Sequence, residues 1–192
     1  MDPQSLALHV RRASGPEAPL VHSVMQAAYA QYIGRLDPPS GAHAESVADV
    51  AAAMALGGAA LAFLDDSASG SVRYRPDADH LYMERLAVLP DCRHRGVATA
   101  LARFVQAEAE RQGLPSVRLG VRLVLTDNWR LYLGLGYGFR ELHLRAAAGG
   151  VTVTATMERP LQKMLSGDAP LLCGELPVED LFKIADRAKR AA

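Results

Sequence analysis

Alternation between hydrophobic and polar positions predicts several strands. Leu6, Leu8 and Val10 alternate with less apolar neighbours, and the same two-residue period runs from Val117 to Leu123. Apolar runs at 59–64 and 70–75 predict a hairpin whose turn is 65–70. A longer run at 81–89 predicts a central strand covered on both faces. Two further strands are predicted at 139–144 and 151–157, around Gly149 and Gly150.

A period of about 3.6 residues predicts helices between these strands. Apolar stripes lie at 20–33, 47–54 and 97–105, and each is followed by glycine, which often ends a helix. Thr126, Asp127 and Asn128 are N-cap candidates for a short helix that ends near Gly136. The predicted order is β α α β β β α β α β β. This order indicates an α/β (α+β) fold with a mixed sheet and helices on its faces.

Length and composition indicate one domain with an appended tail. The chain has 192 residues, of which 49% are hydrophobic and 22% are charged, so it has enough apolar residues to form a core and is not disordered as a whole. We predict a domain at 1–161 and a tail at 162–192 with a helix at about 177–190. That helix either packs on its own domain or forms an oligomer contact or a substrate lid.

Charge and cysteine content exclude several functional classes. Twenty-one basic residues balance 21 acidic ones, so no global field attracts DNA, RNA or an anionic membrane. Cys92 and Cys173 fit neither a paired metal-ligand spacing nor a disulfide framework, and we expect no metal. Because no apolar run reaches the roughly 18 residues of a membrane span, we expect a protein of the cytoplasm.

A local anion site is predicted where the central strand is followed by an amphipathic helix. Free backbone amides at the start of the helix, the helix dipole and basic side chains all favour an anion there. Gly96 allows a phosphate to approach the backbone closely. The segment lacks the glycine and lysine pattern of Walker A and dinucleotide-binding loops. An ordinary structural turn is the alternative. The segment consists of Arg93, His94, Arg95, Gly96, Val97 and Ala98.

Two sequence blocks, which follow each other in the same order as in the family, resemble the GNAT superfamily of N-acetyltransferases. The first is Leu86-Ala87-Val88 followed by the 93–98 segment, which is similar to the family pattern L-x-V and then Q/R-x-x-G-x-G/A. The second, at 131–137, is similar to L-Y-x-x-x-G-F and follows after one helix and one strand. The resemblance covers about residues 5 to 161 and includes the closing strand at 156–160.

The resemblance implies a cofactor, a reaction and a site. Members of the family hold acetyl-CoA between two splayed central strands and transfer its acetyl group directly to an amine, without an acyl-enzyme. By this resemblance the backbone of Leu86, Ala87 and Val88 holds the pantetheine arm, and the 93–98 loop holds the diphosphate. The expected acceptor is a primary amine of a small molecule or a peptide. The alternative is a non-catalytic acyl-CoA-binding sensor or interaction module.

The reaction requires a base for the ammonium group of the acceptor and an acid for the departing thiolate. Glu84 is the first candidate base because it interrupts an apolar strand. Its alternative role is an ion-pair partner of Arg85 or another arginine. His80 is the second candidate base, and its alternative is a solvated turn residue. Tyr132 matches the tyrosine that serves as the acid in the family, and it also fits a role in the core. A backbone N–H near Val88 is expected to stabilise the oxyanion.

Other positions carry weaker expectations. Asn128 stands four residues before Tyr132, whereas many members place an asparagine seven residues before it, so it either contacts the cofactor or only caps the helix. Cys92 lacks a catalytic partner pattern and is expected to be inert. The acceptor region is expected at Tyr29, Tyr32, the 37–43 loop and the strand around His143, with neither an acidic nor a basic cluster. A homodimer fits the tail and the edge strands, but no residue requires it.

Overall fold

The computed structural model describes residues 7–148, 150–161 and Lys183. The predicted helix at 177–190 lies outside the described residues, apart from Lys183, as do Cys173, Leu6 and Gly149. Of the described residues, no helix is both long and apolar enough to cross a membrane.

The elements follow one another in the predicted order. Short 3-10 turns lie at 15–17, 30–32, 41–44 and 90–92. The first two of these turns adjoin the two ends of one α-helix, so the predicted first helix consists of a 3-10 turn, an α-helix and a second 3-10 turn. The strands are β1 (Leu8–Arg12), β2 (Gly58–Leu64), β3 (Ser67–Asp77), β4 (His80–Val88), β5 (Ser116–Arg122), β6 (Gly138–Ala147) and β7 (Gly150–Pro160). The helices are α1 (Ala18–Tyr29), α2 (Val47–Leu56), α3 (Val97–Arg111) and α4 (Thr126–Gly134).

The predicted hairpin of β2 and β3 is confirmed, but its turn is shorter than the predicted 65–70, because β3 begins at Ser67 and pairs there with Leu64. Packing explains why the polar and small residues of this segment are in a strand. Ser69 is fully buried and donates a hydrogen bond to Ala62 O at 3.1 Å. A Cβ on Gly70 would lie 2.8 Å from both Ala87 O and Val97 Cγ1, so only glycine lets the neighbouring backbone and α3 approach.

The strands form one seven-stranded sheet in the order β1-β2-β3-β4-β5-β7-β6. Every neighbouring pair is antiparallel except β4 and β5. These two central strands are paired only where Leu81–Met83 face Val117–Leu119. Beyond those pairs β4 continues to Val88 and β5 to Arg122 without hydrogen bonds between them, so the strands splay apart as the resemblance implies.

Helices cover both faces of this sheet, which confirms the predicted mixed α/β architecture. Alternate residues of β2 belong to two separate cores: Ala60 and Ala62 pack with α3, whereas Ala59 and Leu61 pack with α1 and α2. Both faces of β2 are therefore buried, which explains its unbroken apolar run.

Trp129 anchors α4 in the core beneath the splayed strands. It is fully buried, its indole N–H donates to Leu123 O at 3.0 Å, and its ring makes an edge contact with Phe139 at 5.8 Å between centroids. Tyr132 lies on the next turn of the same helix. The anchor therefore fixes the position from which Tyr132 reaches the sheet.

Candidate active site

The gap between β4 and β5 opens into a cleft of about 730 Å³. That volume is in the range of pockets that bind small molecules and cofactors. The cleft is bounded by the splayed strand ends, by the start of α3, by α4 and by the segment that follows α1. Of the predicted site residues, the following line it: Glu84, Leu86, Ala87, Val88, Arg93, His94, Gly96, Val97, Ala98, Asn128 and Tyr132.

The free edge of β4 offers backbone hydrogen-bonding groups to this cleft. Past Met83 no strand of the described residues pairs with β4 on the β5 side, so the N–H and C=O groups that point that way can bind a ligand. On its other side β4 carries a bulge: Ser71 faces Ala87, while Arg73 faces Glu84. Arg85 lies in this bulge with φ of 52°, a left-handed conformation that redirects the strand beside the cleft.

The 93–98 loop presents a helix N-terminus to the same cleft. Gly96 is the N-cap of α3 with φ of 80°, and the first hydrogen bond to it comes from Ala100 N, at 2.9 Å from Gly96 O. The amides of Val97, Ala98 and Thr99 precede that bond and are the unsatisfied donors of the first turn. Arg93 lines the cleft and donates to Gln31 Oε1 at 3.1 Å, whereas Arg95 is exposed and is not part of the lining.

Tyr132 lines the cleft from α4 and belongs to a cluster of tyrosines. Its ring lies 5.7 Å from that of Tyr137, measured between ring centroids. Tyr29 and Tyr32 also line the cleft, and their ring centroids are 5.7 Å apart. Desolvation and the neighbouring phenols raise the pKa of Tyr132 well above its ordinary value. Desolvation also raises the pKa of Tyr29 to about 12. Both phenols therefore keep their protons at neutral pH.

Glu84 is half-buried and takes part in a network of charged groups behind the cleft. Its Oε1 lies 3.1 Å from Arg73 Nη2, so the alternative of an ion-pair partner is realised, with Arg73 rather than Arg85. Arg73 is itself buried and also contacts Glu45 at 2.9 Å. Glu45 in turn holds Arg85 at 2.6 Å. The network fixes Glu84 at the end of the paired part of β4, with its carboxylate in the cleft lining.

The remaining candidates are placed as follows. Asn128 is not a cap: α4 begins at Thr126, its N-cap is Leu125, and Asn128 lies inside the first turn with its N–H donating to Leu125 O at 3.1 Å. His80 is buried rather than solvated, its Nδ1 lies 3.1 Å from Asp79 Oδ1, and it is outside the cleft lining. Cys92 is a free thiol that lines the cleft.

The expected acceptor region lies partly in the cleft and partly in a groove next to it. Tyr29, Tyr32 and Ser40 line the cleft, whereas His43 does not. The adjoining groove, of about 280 Å³, shares the β5 segment 120–122 with the cleft and is lined further by Tyr82 and by residues of β6 and β7.

The expectation that this region holds no basic cluster is wrong. Arg122, His143 and Arg145 all line the groove. They lie on β5 and β6, which are not neighbours in the sheet, because β7 lies between these two strands and pairs with both. Of the residues that the structure describes, no group of three or more His, Cys, Asp or Glu side chains is arranged to hold a metal ion.

Comparison with known proteins agrees with this geometry. The family described as the acetyltransferase (GNAT) family matches residues 23–137. The fold is similar to that of the ribosomal-protein-S18-alanine N-acetyltransferase from Escherichia coli, at a TM-score of 0.67 and 17% identity over 85% of this chain and 100% of that one. None of the curated proteins matches the sequence significantly.

Two structures that contain a bound cofactor also share the fold. One is the protein yncA from Salmonella typhimurium with its cofactor acetyl-CoA, at a TM-score of 0.63 and 16% identity over 85% of this chain and 99% of that one. The other is the paia N-acetyltransferase from Thermoplasma acidophilum with coenzyme A, at a TM-score of 0.60 and 17% identity over 80% and 99%. At such identities the likeness establishes the fold alone.

Proposed function

Because the chain belongs to the acetyltransferase (GNAT) family, we propose that it transfers the acetyl group of acetyl-CoA directly to a primary amine of a small molecule or a peptide. The observation that carries this proposal is the gap between β4 and β5. It joins the unpaired edge of Leu86–Val88 to the helix N-terminus of the 93–98 loop in one cleft. The cytoplasm as the location and a homodimer as the assembly stay predictions.

The described residues fit an extended acyl-CoA. The unpaired edge of β4 offers a strand-like row of donors and acceptors, which suits the two amides of a pantetheine arm. The amides of Val97, Ala98 and Thr99 and the side chain of Arg93 suit the diphosphate, since a helix N-terminus and basic groups both favour an anion. The two similar structures that hold acetyl-CoA or coenzyme A support this use of the fold.

Glu84 and Tyr132 are the residues that we propose for proton transfer. An alkyl ammonium with a pKa near 10.4 requires about 4–5 kcal/mol to lose its proton at pH 7, so the reaction needs a base such as a carboxylate to accept that proton. Glu84 is the proposed base. Tyr132 is the proposed acid for the thiolate of coenzyme A. Its raised pKa keeps the phenol protonated at neutral pH but also makes it a weaker acid, so the proposed role rests on its place in the cleft lining. An unpaired N–H of β4 near Val88 stabilises the oxyanion.

The proposal is tested by binding and by turnover. We expect acetyl-CoA to raise the melting temperature of the protein, because a ligand that binds only the folded state stabilises it. We also expect thiol release when a library of primary amines is screened with acetyl-CoA. A protein that neither gains stability with acetyl-CoA nor binds coenzyme A in calorimetry would refute the proposal.

Gly96→Ala is expected to weaken cofactor binding, and Gly113→Ala is its matched control. The two glycines flank α3 and have φ of 80° and 71°, and an added Cβ would clash at neither: at Gly96 it would lie 3.8 Å from Leu8 Cδ2, and at Gly113 it would have no neighbour within 4 Å. Each substitution should lower the free energy of unfolding by about 1–2 kcal/mol, because alanine is strained in this conformation. Only Gly96→Ala alters the loop at the diphosphate, so it alone should weaken acetyl-CoA binding, by about tenfold. Equal affinities in the two variants would contradict a diphosphate site at this loop.

A further inference from the structure

The groove beside the cleft is built as a cationic site. Its floor is one face of β7, where Thr152, Thr154 and Thr156 present hydroxyl groups. Arg122 lies on one side and Arg145 on the other. Within the described residues no carboxylate belongs to the lining. The groove therefore combines two guanidinium groups with a row of hydroxyls.

The positive charge of Arg122 is held in place by neutral groups. Its guanidinium donates to Pro38 O at 2.6 Å and to Pro39 O at 3.3 Å, and these carbonyls orient the group without neutralising it. Desolvation and the nearby charge of Arg145 lower the pKa of Arg122, while Asp37 acts in the opposite direction. The two arginines are thus close enough to repel each other, and an anion between them would relieve that repulsion.

Neighbouring basic residues are paired, which sets this pair apart. Arg118 on β5 forms an ion pair with Glu158 at 2.8 Å, and Arg140 forms a second ion pair with the same carboxylate. His143 lies 2.9 Å from Thr156 Oγ1 and 3.8 Å from Glu141. Neither Arg122 nor Arg145 takes part in these ion pairs.

The groove adjoins the cleft, because Gly120 and Arg122 line both. A Cβ on Gly120 would lie 2.8 Å from the Tyr82 hydroxyl, so Tyr82 packs against β5 at this shared segment and only glycine fits there. An acceptor that reaches from the cleft into the groove would pass this segment. One end of that acceptor would face the carboxylate of Glu84, in the cleft, and the other the arginines of the groove, so the two ends would meet opposite charges.

We propose that the acceptor is an amine that also carries an oxyanion, a carboxylate or a phosphate, and that Arg122 and Arg145 bind this oxyanion. This inference rests on the proposed function. Guanidinium groups donate in a planar fork that matches the oxygens of both anions, and threonine hydroxyls supply further donors. The amine end of the same molecule faces Glu84 and the thioester.

The first experiment compares matched amines in the thiol-release assay. The pairs are β-alanine with 3-aminopropanol, lysine with cadaverine, and phosphoethanolamine with ethanolamine. We expect that, in at least one pair, the amine that carries the carboxylate or phosphate has a kcat/KM about tenfold or more above that of its partner without this group. The carboxylate and phosphate pairs distinguish the two sources of the oxyanion. Equal or faster turnover, in every pair, of the amine that lacks the oxyanion would overturn the inference.

Arg145→Ala tests the groove directly, because Arg145 is exposed and its loss does not disturb the core. We expect the variant to raise KM about tenfold or more for the amine that carries the oxyanion and to leave KM unchanged for its partner that lacks this group. Arg103→Ala, which removes an exposed arginine from α3 outside both cavities, is the control and should leave both substrates unchanged. An equal effect of Arg145→Ala on both amines would contradict an oxyanion site.

A binding experiment decides the question if none of these amines is acetylated. The protein is saturated with coenzyme A, so that the diphosphate loop is occupied, and is titrated with inorganic phosphate and with acetate in NMR. We expect saturable shifts of the groove residues in the wild type and in Arg103→Ala, and their loss in Arg145→Ala. Absence of saturable shifts in the wild type would overturn the inference. Failure of acetyl-CoA to bind would refute the proposed function and with it the acceptor, whereas saturable shifts that are lost in Arg145→Ala would still identify an oxyanion site in the groove.

Discussion

Replacing Tyr132 by phenylalanine is expected to lower kcat about 100-fold while the affinity for acetyl-CoA stays within about twofold. Loss of a positioned general acid typically costs 100-fold or more, and the phenyl ring keeps the edge contact with Tyr137. Because the pKa of Tyr132 is raised, its phenol stays protonated well into the alkaline range. The wild-type kcat should therefore not fall between about pH 7 and pH 10 through loss of this proton. Steady-state kinetics and calorimetry give the two quantities.

Tyr137→Phe is the matched control for this substitution. Tyr137 is buried against Tyr132, and its hydroxyl accepts a hydrogen bond from Gln106 at 3.3 Å, outside the cleft lining. Its loss should reduce stability and leave kcat unchanged within about twofold. If Tyr132→Phe retained full turnover, Tyr132 would have only a packing role. If no amine were acetylated by the wild type although acetyl-CoA bound, the chain would instead be an acyl-CoA sensor.

Glu84→Gln is expected to lower kcat/KM about 100-fold near pH 7.5. Glutamine has nearly the same shape and can still accept the hydrogen bond from Arg73, which also keeps its contact with Glu45. The variant therefore loses a proton acceptor without losing the charged network. The deficit should shrink as the pH approaches about 10, because the amine then loses its proton without help. A pH profile of kcat/KM for both proteins measures this convergence.

Asp127→Asn provides a comparison that separates basicity from local charge. Asp127 is another carboxylate of the cleft lining, on the first turn of α4, and it is exposed. We expect its substitution to change kcat/KM by less than about threefold at every pH. A deficit in Glu84→Gln that stayed constant with pH would indicate a structural role for Glu84 within its ion pairs.

Local patterns were sufficient to predict most of the fold and many of the residues that line the cleft between β4 and β5. The order of strands and helices follows from periods of two and of about 3.6 residues, because each element has one or two buried faces. The 93–98 loop and the strand before it are contiguous in the chain, so their proximity is visible in the sequence. The comparisons confirm the resemblance that those residues carry.

The acceptor side depends on contacts that local patterns do not encode. The partner of Glu84 is Arg73, which lies opposite it because β3 and β4 pair with a one-residue bulge. Arg122 and Arg145 meet only because β7 lies between β5 and β6. The alternation of Arg118, Gly120 and Arg122 along β5 did show that one face of that strand is polar. The pairing of β7 with β5 and β6 was needed to show which residues lie beside that face.

The short pairing between β4 and β5 affects how the width of the gap between these strands is determined. Three residue pairs join the two halves of the sheet, so main-chain bonds set the separation of the strands only at one end of the gap. At the other end no such bonds join the strands, and both pack on one core that includes Leu101 and Trp129. Because protein cores are closely packed, we expect larger or smaller side chains at these two positions to change the width of the opening without altering a residue of the cleft lining.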